Sequence, residues 1–368
     1  MKRSRKLRVL LINSYSMELV YSMFRKGTFP GHHLFGSPEL IRDHEIEVII
    51  PEHIKYPVLN RVGNLFGIEF LDQQLRALMT LRKYDVIYAP YGALNTKLII
   101  LLKTIGIINK PVVILVHFPV FGRPSKNSIK RALVRRLIRN YDQLVFLSKK
   151  LEQDLITSYC INPNHIEAHF RIANWGVDLD FFKPFLSTDT PQHQKYIISS
   201  GNTGRDFDVI VEAARSVNFK FKIYCKPESY PSIRDIPSNV EILSGDFPFE
   251  QICRDYSAAR IVLIPCKPGF EGPVGLTSLL EAMALGKPVI MTKNEYIDID
   301  FEKEGIGRDV PISDADAWVN TINSILKDYT LLAQMGRNIL SLAHKKFASG
   351  SFAGELSTTV LRACKVKN

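Results

Sequence analysis

Short runs of aliphatic and β-branched residues alternate with helix-periodic segments along most of the chain, and they do so in two successive series. Residues 8–12, 47–50, 86–88, 112–116 and 143–147 read as buried strands, and the pieces between them carry apolar residues at helical spacing, as in LDQQLRALMTLRK. The series restarts at 195–199 and continues through 219–224, 240–243, 261–265, 288–292 and a weaker run at 309–312. Helices are expected over 208–215, 249–258, 277–285 and 315–347. A strand covered on both faces has no polar side to alternate with, so continuous apolar runs separated by helices predict parallel sheets with helices on both faces. The chain is therefore expected to form two doubly wound, Rossmann-like α/β domains facing a central cleft. The joint falls within IANWGVDLDFFKP (172–184), followed by a polar linker at 186–194. The expected division is 1–174 and 175–344, with a C-terminal helix at about 345–368 packing back onto the first domain. Ligands of open α/β sheets sit beyond the carboxyl ends of the strands, so function should sit on the βα turns.

Composition narrows the class. With 368 residues, 46% hydrophobic and 23% charged, the chain has the make-up of a water-soluble globular protein and excludes a disordered tail, a collagen-like repeat or a multi-span membrane protein. No apolar stretch approaches the roughly 20 residues a membrane-spanning helix needs. The opening MKRSRKLRVLLINSYS has a basic start but too short an apolar run for a secretory leader, and reads as a basic arm before a first strand. Five scattered cysteines without a C-x-x-C argue against a disulfide framework or a zinc cluster, and fit a reducing compartment.

The net charge of +11 is unevenly placed. Residues 1–150 hold 25 Lys+Arg against 10 Asp+Glu, whereas residues 151–368 hold 23 against 27. A basic first half points to a polyanion, either an anionic membrane surface or nucleic acid. The densest patch is RPSKNSIKRALVRRLIRN (123–140). Ile129, Ala132, Leu133, Leu137 and Ile138 recur there at helical spacing, among Lys126, Lys130, Arg131, Arg135, Arg136 and Arg139. Such a helix suits an anionic bilayer; a core-packed helix with a solvated basic face is the plainer alternative. No aromatic-interleaved basic stretch or nucleic-acid motif supports the polynucleotide reading, and no nucleic acid is expected as a partner.

The segment GFEGPVGLTSLLEAMALGKPVIMTKN (269–294) carries the chemistry. A Gly-containing turn follows a strand and enters a helix at Thr277 or Ser278, either of which suits the N-cap. The first amides of that helix lack internal partners and its dipole favours an anion there, while Gly275 would let a phosphate come close to the backbone. Glu281, one turn further in, is placed to accept hydrogen bonds from a ribose diol. This stretch resembles the donor-nucleotide site of the retaining GT-B glycosyltransferases known as glycosyltransferase family 4, or group 1 glycosyl transferases. The family's usual form is E-G-F-G-x-x-x-x-E-A-M-A-x-G-x-P-V. LLEAMALGKPVI matches it with Glu281 as the second glutamate, whereas Pro273 stands at the first and Glu271 is the nearest carboxylate. A second turn, ISSGNTGRDFDVIVEAAR (198–215), resembles the family's G-R-x-x-x-x-K-G-x-D-x-L-I-E-A, whose Arg and Lys clamp the donor diphosphate. Alignment puts Arg205 at the Lys position and Asn202 near the missing Arg, in a turn two residues shorter that carries Gly201 and Gly204.

Weaker agreements follow in family order. WGVDLDFFKP resembles the family's hinge segment, and SGDFPFEQICRDYSAARIVLIP the stretch whose loop, here near Asp246 and Phe247, holds the nucleobase. The resemblance is close over about residues 140 to 300 and loose before them. It also implies that TFPGHHLFG, with Gly31, His32 and His33, reaches the donor phosphates and the acceptor, and that His117, closing a strand in VHFP, lies near the donor sugar. For all three histidines a packing role is the alternative.

The resemblance implies a GT-B enzyme that moves a sugar from a nucleoside diphosphate sugar to a hydroxyl of a glycan or lipid-linked acceptor. It implies retention of anomeric configuration and no required cofactor or metal. Expected catalytic residues are Arg205 and His117; expected donor contacts are Gly201, Asn202, Gly204, Asp246, Phe247, Glu271, Gly275, Leu276, Thr277, Ser278 and Glu281. The expected setting is cell-surface polysaccharide or glycolipid synthesis, in the cytoplasm at the inner face of the membrane. Two alternatives use the same architecture: a nucleoside-diphosphate-sugar 2-epimerase, which gives no reason for the basic half, and a catalytically inactive sugar-nucleotide-binding scaffold, which would explain Pro273 and the missing Arg.

Overall fold

The computed structural model describes residues 6–187 and 191–365. These form two compact units: 6–26, 31–176 and 349–365 make the first, and 27–30, 177–187 and 191–348 the second. Residues 188–190, inside the expected linker, lie outside the described residues.

In the first unit six strands form one parallel sheet: β1 (Arg8–Leu11), β2 (Glu47–Ile49), β3 (Val86–Ala89), β4 (Val112–Val116), β5 (Gln143–Phe146) and β6 (Phe170–Ile172), in the order β2-β1-β3-β4-β5-β6. Every residue of β3, β4 and β5 is buried, as expected of strands covered on both faces. β6 was not expected. It is a three-residue edge strand with a single buried position, too short to leave an apolar run.

The second unit repeats the plan with β7 (Tyr196–Ser200), β8 (Phe221–Cys225), β9 (Val240–Ser244), β10 (Ala259–Ile264), β11 (Val289–Thr292) and β12 (Gly307–Val310), in the order β12-β11-β10-β7-β8-β9. Its core gathers Phe207 and Ile210 from one helix, Trp318 and Ile322 from another, and Ile223 and Leu263 from the sheet. β12 begins two residues before the expected run, with Gly307 packed so closely on β11 that a Cβ would lie 1.8 Å from the Val289 carbonyl oxygen. In each sheet the order reverses once among the central strands, between β1 and β3 and between β7 and β10, and a crevice opens at such a point beyond the strand ends.

The run expected as one helix over 315–347 is two, Ala315–Leu326 and Tyr329–Lys346, because the Asp328 carboxylate accepts the Leu331 amide at 2.8 Å and caps a new start. A further helix, Ser349–Lys365, belongs to the first unit and packs on the Ser37–Asp43 helix and the sheet. Its Phe352 and Leu356 crowd Gly36, where a Cβ would stand 3.4 Å from either side chain.

The LDQQLRALMTLRK helix, Leu71–Met79, buries Asp72, Gln73 and Gln74 among the apolar residues. Gln73 holds the Asn13 backbone beyond β1 by two hydrogen bonds, and Gln74 accepts the Leu98 amide at 2.8 Å at the start of the Lys97–Thr104 helix. These amides fix the end of β1 and the start of the Lys97–Thr104 helix. Among the described residues no helix is long and apolar enough to cross a membrane.

Leu356 is 1% exposed, so Leu356→Ala should remove about 3 kcal/mol from the stability of the first unit. Urea unfolding followed by circular dichroism checks this; a loss below about 1 kcal/mol would mean the helix is not part of that core.

Candidate active site

At the switch point of the second sheet, the turn leaving β7 and the turn leaving β10 are zipped together. Arg205 bridges Cys266, the Lys267 amide donates to the Gly204 carbonyl at 2.9 Å, and the Asp206 amide to the Pro265 carbonyl at 3.2 Å. Arg205 folds inward and is only 7% exposed. Its Nε donates to the Ser200 carbonyl (3.1 Å), Nη1 to the Thr203 carbonyl (3.2 Å) and Nη2 to Ser278 Oγ (2.9 Å). Among the described residues no carboxylate pairs with it. Gly201 makes room for this, since a Cβ there would lie 2.6 Å from Arg205 Nε. Gly204 does the same for Phe270, whose ring stands 2.9 Å from a Cβ at that position and is itself 42% exposed.

The helix that meets the guanidinium runs Leu276–Ala284, and its cap differs from expectation. Gly275, in the left-handed region at φ +95°, is the N-cap, and Thr277 and Ser278 lie inside the first turn. Gly275 is required by packing on its inner side as well: a Cβ would come within 2.6 Å of Met291 Cε and 2.8 Å of Ile264 Cγ2. The Leu276 amide turns back to the Pro273 carbonyl, while the Thr277 and Ser278 amides have no protein acceptor among the described residues. Two open amides, the positive end of a helix dipole and a buried guanidinium thus converge on one place, a combination that favours an anion.

The remaining donor candidates surround it. Asn202 Oδ1 accepts the Lys226 amide at 3.2 Å, and Lys226 pairs with Asp246, so the ends of β7, β8 and β9 are joined. Phe247 packs edge-on to Tyr224 at 5.0 Å. Glu281 is buried on the same helix, close enough to raise the Tyr256 hydroxyl and the Cys253 thiol, although burial is the larger cause for both. Glu271 is half-buried in the turn. Tyr256, which bonds Ser200 Oγ at 2.5 Å, and Phe270 lie inside two of the family-like segments but at positions to which no role attached, so sequence reading passed over them.

In the first unit the strand ends carry aromatic rings. Tyr15, beyond β1, meets Tyr91, beyond β3, at 5.8 Å, and Tyr91 meets His117, beyond β4, edge-on at 4.7 Å. Phe35 stacks on Trp175 at 5.4 Å. His117 lines a cavity of about 370 Å³ together with Tyr91, Phe118, Phe121, Lys97 and Glu69. His117 Nδ1 is buried without a hydrogen-bond partner among the described residues, and burial pushes its pKa down to about 4, so the ring is neutral at pH 7. Gly31 and His32 are buried in the Gly31–Leu34 turn and His33 is half-buried. Trp175 Nε1 donates to the His32 carbonyl at 3.3 Å, and the Tyr15 hydroxyl to the His33 carbonyl at 2.5 Å. His32 is also held neutral, first by burial and then by the charge of His33. Lys126, Lys130, Arg131, Arg136 and Arg139 are exposed on or beside the Ser128–Ile138 helix, and Arg135 is half-buried. Within either unit taken alone, the described residues hold no group of three or more His, Cys or carboxylate side chains spaced for a metal ion.

The paired sheets and the site at the β7–β10 switch point define a GT-B protein, and sequence families agree. The family described as Glycosyltransferase Family 4 matches residues 31–181, and that described as Glycosyl transferases group 1 matches residues 235–341. The chain belongs to this family and is a glycosyltransferase. No curated protein sequence matches it. Among solved structures it is similar to the sucrose-phosphate synthase of Thermosynechococcus elongatus (16% identity, 99% of this chain and 100% of that one, TM-score 0.68). It is also similar to Anabaena HepE in complex with UDP and glucose (15%, 97% and 100%, 0.63) and to a glycosyltransferase of Rickettsia africae (15%, 97% and 99%, 0.61).

Two outcomes follow from these contacts. Gly275→Ala should cost about 1–3 kcal/mol, since the new methyl strains the backbone and overpacks Ile264 on a rigid strand; thermal unfolding would show it, and an unchanged Tm would contradict the packing reading. For His117, the unfolded chain binds a proton near pH 6.5 and the folded chain only near 4. Stability is therefore fully present above about pH 6.5 and lost as pH falls toward 4. His117→Asn should flatten that pH dependence in urea melts at pH 7, 5.5 and 4.5; an unaltered slope would show that His117 takes up its proton freely.

Proposed function

We propose that the protein moves a sugar from a nucleoside diphosphate sugar to a hydroxyl of a glycan or lipid-linked acceptor, with retention and without a required metal, in polysaccharide or glycolipid synthesis. One observation carries the reading: the buried guanidinium of Arg205 at the start of the Leu276–Ala284 helix, with no carboxylate among the described residues to neutralise it. A diphosphate is an anion that such a guanidinium and helix N-terminus together attract. It accepts from the open Thr277 and Ser278 amides and from Arg205, and these neutralise the charge that develops as the diphosphate leaves. Glu281 takes the ribose, and the Asp246–Phe247 loop the base. HepE has been seen with UDP and glucose, which makes uridine diphosphate sugars the first donors to try here. His117, neutral and with a free Nδ1, orients a hydroxyl of the sugars.

The basic Ser128–Ile138 helix supports a peripheral place at the inner face of an anionic membrane. Its Ile129 and Leu133 are 78% and 52% exposed beside the basic side chains, while only Leu137 and Ile138 are buried in the unit. Each basic residue near such a surface contributes about 1 kcal/mol.

A screen of nucleotide sugars for nucleotide release, with and without a chelator, identifies the donor; release abolished by the chelator would refute metal independence. On the donor found, Arg205→Ala should lower turnover about 10²-fold or more while the protein stays folded. Activity near that of the native protein would remove Arg205 from the reaction. Replacing Arg131, Arg135 and Arg136 together by Gln should weaken sedimentation with anionic vesicles and make what remains less dependent on salt. Unchanged sedimentation would exclude this helix from the contact.

A further inference from the structure

The helix Pro57–Leu65 of the first unit wears its apolar stripe on the outside. Val58, Val62, Leu65 and the following Phe66 recur at i, i+4, i+7 and i+8, the spacing by which a helix ordinarily faces a core. Here they are 66%, 41%, 83% and 76% exposed. The inward face is held by other means. Gly63 is the helix's buried residue, so close to the next helix that a Cβ would lie 2.3 Å from the Ile68 carbonyl oxygen and 2.6 Å from Leu71 Cβ. Asn60 Oδ1 accepts the Asp72 amide, and Asp72 accepts the Lys55 amide, both at 2.9 Å. The helix is thus fixed in place with its apolar face turned to the surroundings, and Lys55 and Arg61 are exposed beside it.

The stripe adjoins the cavity of the first unit. Directly after Phe66, the Gly67 carbonyl accepts from Lys97 Nζ, and Lys97 with Glu69 lines the cavity. Two further lining residues, Leu94 and Phe118, are 38% and 42% exposed.

We propose that the Pro57–Leu65 helix and Phe66 insert into the outer layer of an anionic bilayer and bring the mouth of the cavity to the lipid surface. The acceptor is then an amphiphile whose tail stays in the bilayer while its polar head enters beside Lys97, Glu69 and His117. The proposal deepens the transferase reading and rests on it for the acceptor alone. Charge decides the occupant. Lys55 and Arg61 are exposed near the stripe, as is Glu52, and residues 1–150 as a whole hold 25 Lys+Arg against 10 Asp+Glu, an excess that fits anionic lipid, whereas a second copy of this chain would set like charges against each other.

The test uses the full-length protein and vesicles of phosphatidylcholine with or without phosphatidylglycerol. Leu65→Ser with Phe66→Ser, both at exposed sites, should lower flotation with the anionic vesicles at least tenfold, and the loss should persist in high salt, where charge contacts fade. Separately, Phe66→Trp should show an emission shift to the blue and quenching by lipids brominated in the acyl chains. The rise in melting temperature given by UDP should be the same in native and variant protein, so a failed donor reading is told apart from a failed membrane reading. Native protein that does not float, flotation unaffected by the double substitution, or emission blind to vesicles would each overturn the proposal. So would a native dimer that the double substitution dissociates without loss of flotation.

Discussion

A guanidinium buried against the start of a helix, with no carboxylate among the described residues paired to it, is the constraint on which the second unit depends. Burying one charge costs several kcal/mol unless hydrogen bonds and a counter-charge offset it, and the helix dipole here adds positive potential of its own. The surrounding chain is shaped to tolerate this. Gly201 vacates the space beside Nε, three acceptors hold the fork flat, and the backbone bridge to Cys266 ties the two turns together. On the proposed reading, an anion arriving there would offset this cost, because each bond to it would be charge-assisted and already oriented.

The topology explains why this occurs where it does. The chain runs from β7 to β8 and β9 on one side of the sheet and returns to β10, β11 and β12 on the other, so the turns after β7 and β10 lead in opposite directions and a crevice opens between them. The two glycine-bearing turns that the resemblance assigns to the donor are those two. The parallel strands were legible because burial on both faces leaves unbroken apolar runs, and the turns because glycines and a helix start punctuate them. Arg205 was legible as a candidate, but its inward fold was not. A side chain's direction depends on contacts such as Ser278, 73 positions away, which no local pattern encodes. Gly275 was read as room for a phosphate, whereas its left-handed φ and its contacts with Met291 and Ile264 show a backbone and packing demand.

In the first unit the sequence was less informative for a definite reason. Its site is built from aromatic rings and from buried amides of a helix that looks ordinary. Asp72, Gln73 and Gln74 read as the polar face of LDQQLRALMTLRK, yet they are buried because they satisfy backbone groups at Lys55, at the end of β1 and at the start of the Lys97–Thr104 helix respectively. Tyr91 and His117 meet only because β3 and β4 are neighbours in the sheet, which sequence order alone does not specify. β6 left no signal, having one buried position in three.

The two units differ in how they meet charge. The second buries one positive group, where electrostatic interactions are strong and little screened, and is otherwise slightly acidic. The first spreads its excess of basic residues over solvent, where each is worth little against a single partner but all act together on an extended anionic surface. An extended surface held by screened charges alone would leave a protein loosely oriented. In the proposed bilayer contact, the exposed stripe of Val58, Val62, Leu65 and Phe66 would supply what charge lacks: its contribution is not screened by salt, and its depth would fix which residues stand at the boundary. Glu69 and Lys97, which line the cavity, would then stand at that boundary, Lys97 bonded to the Gly67 carbonyl. Attraction at a distance and registration on contact would thus be carried by different chemistry on the same unit.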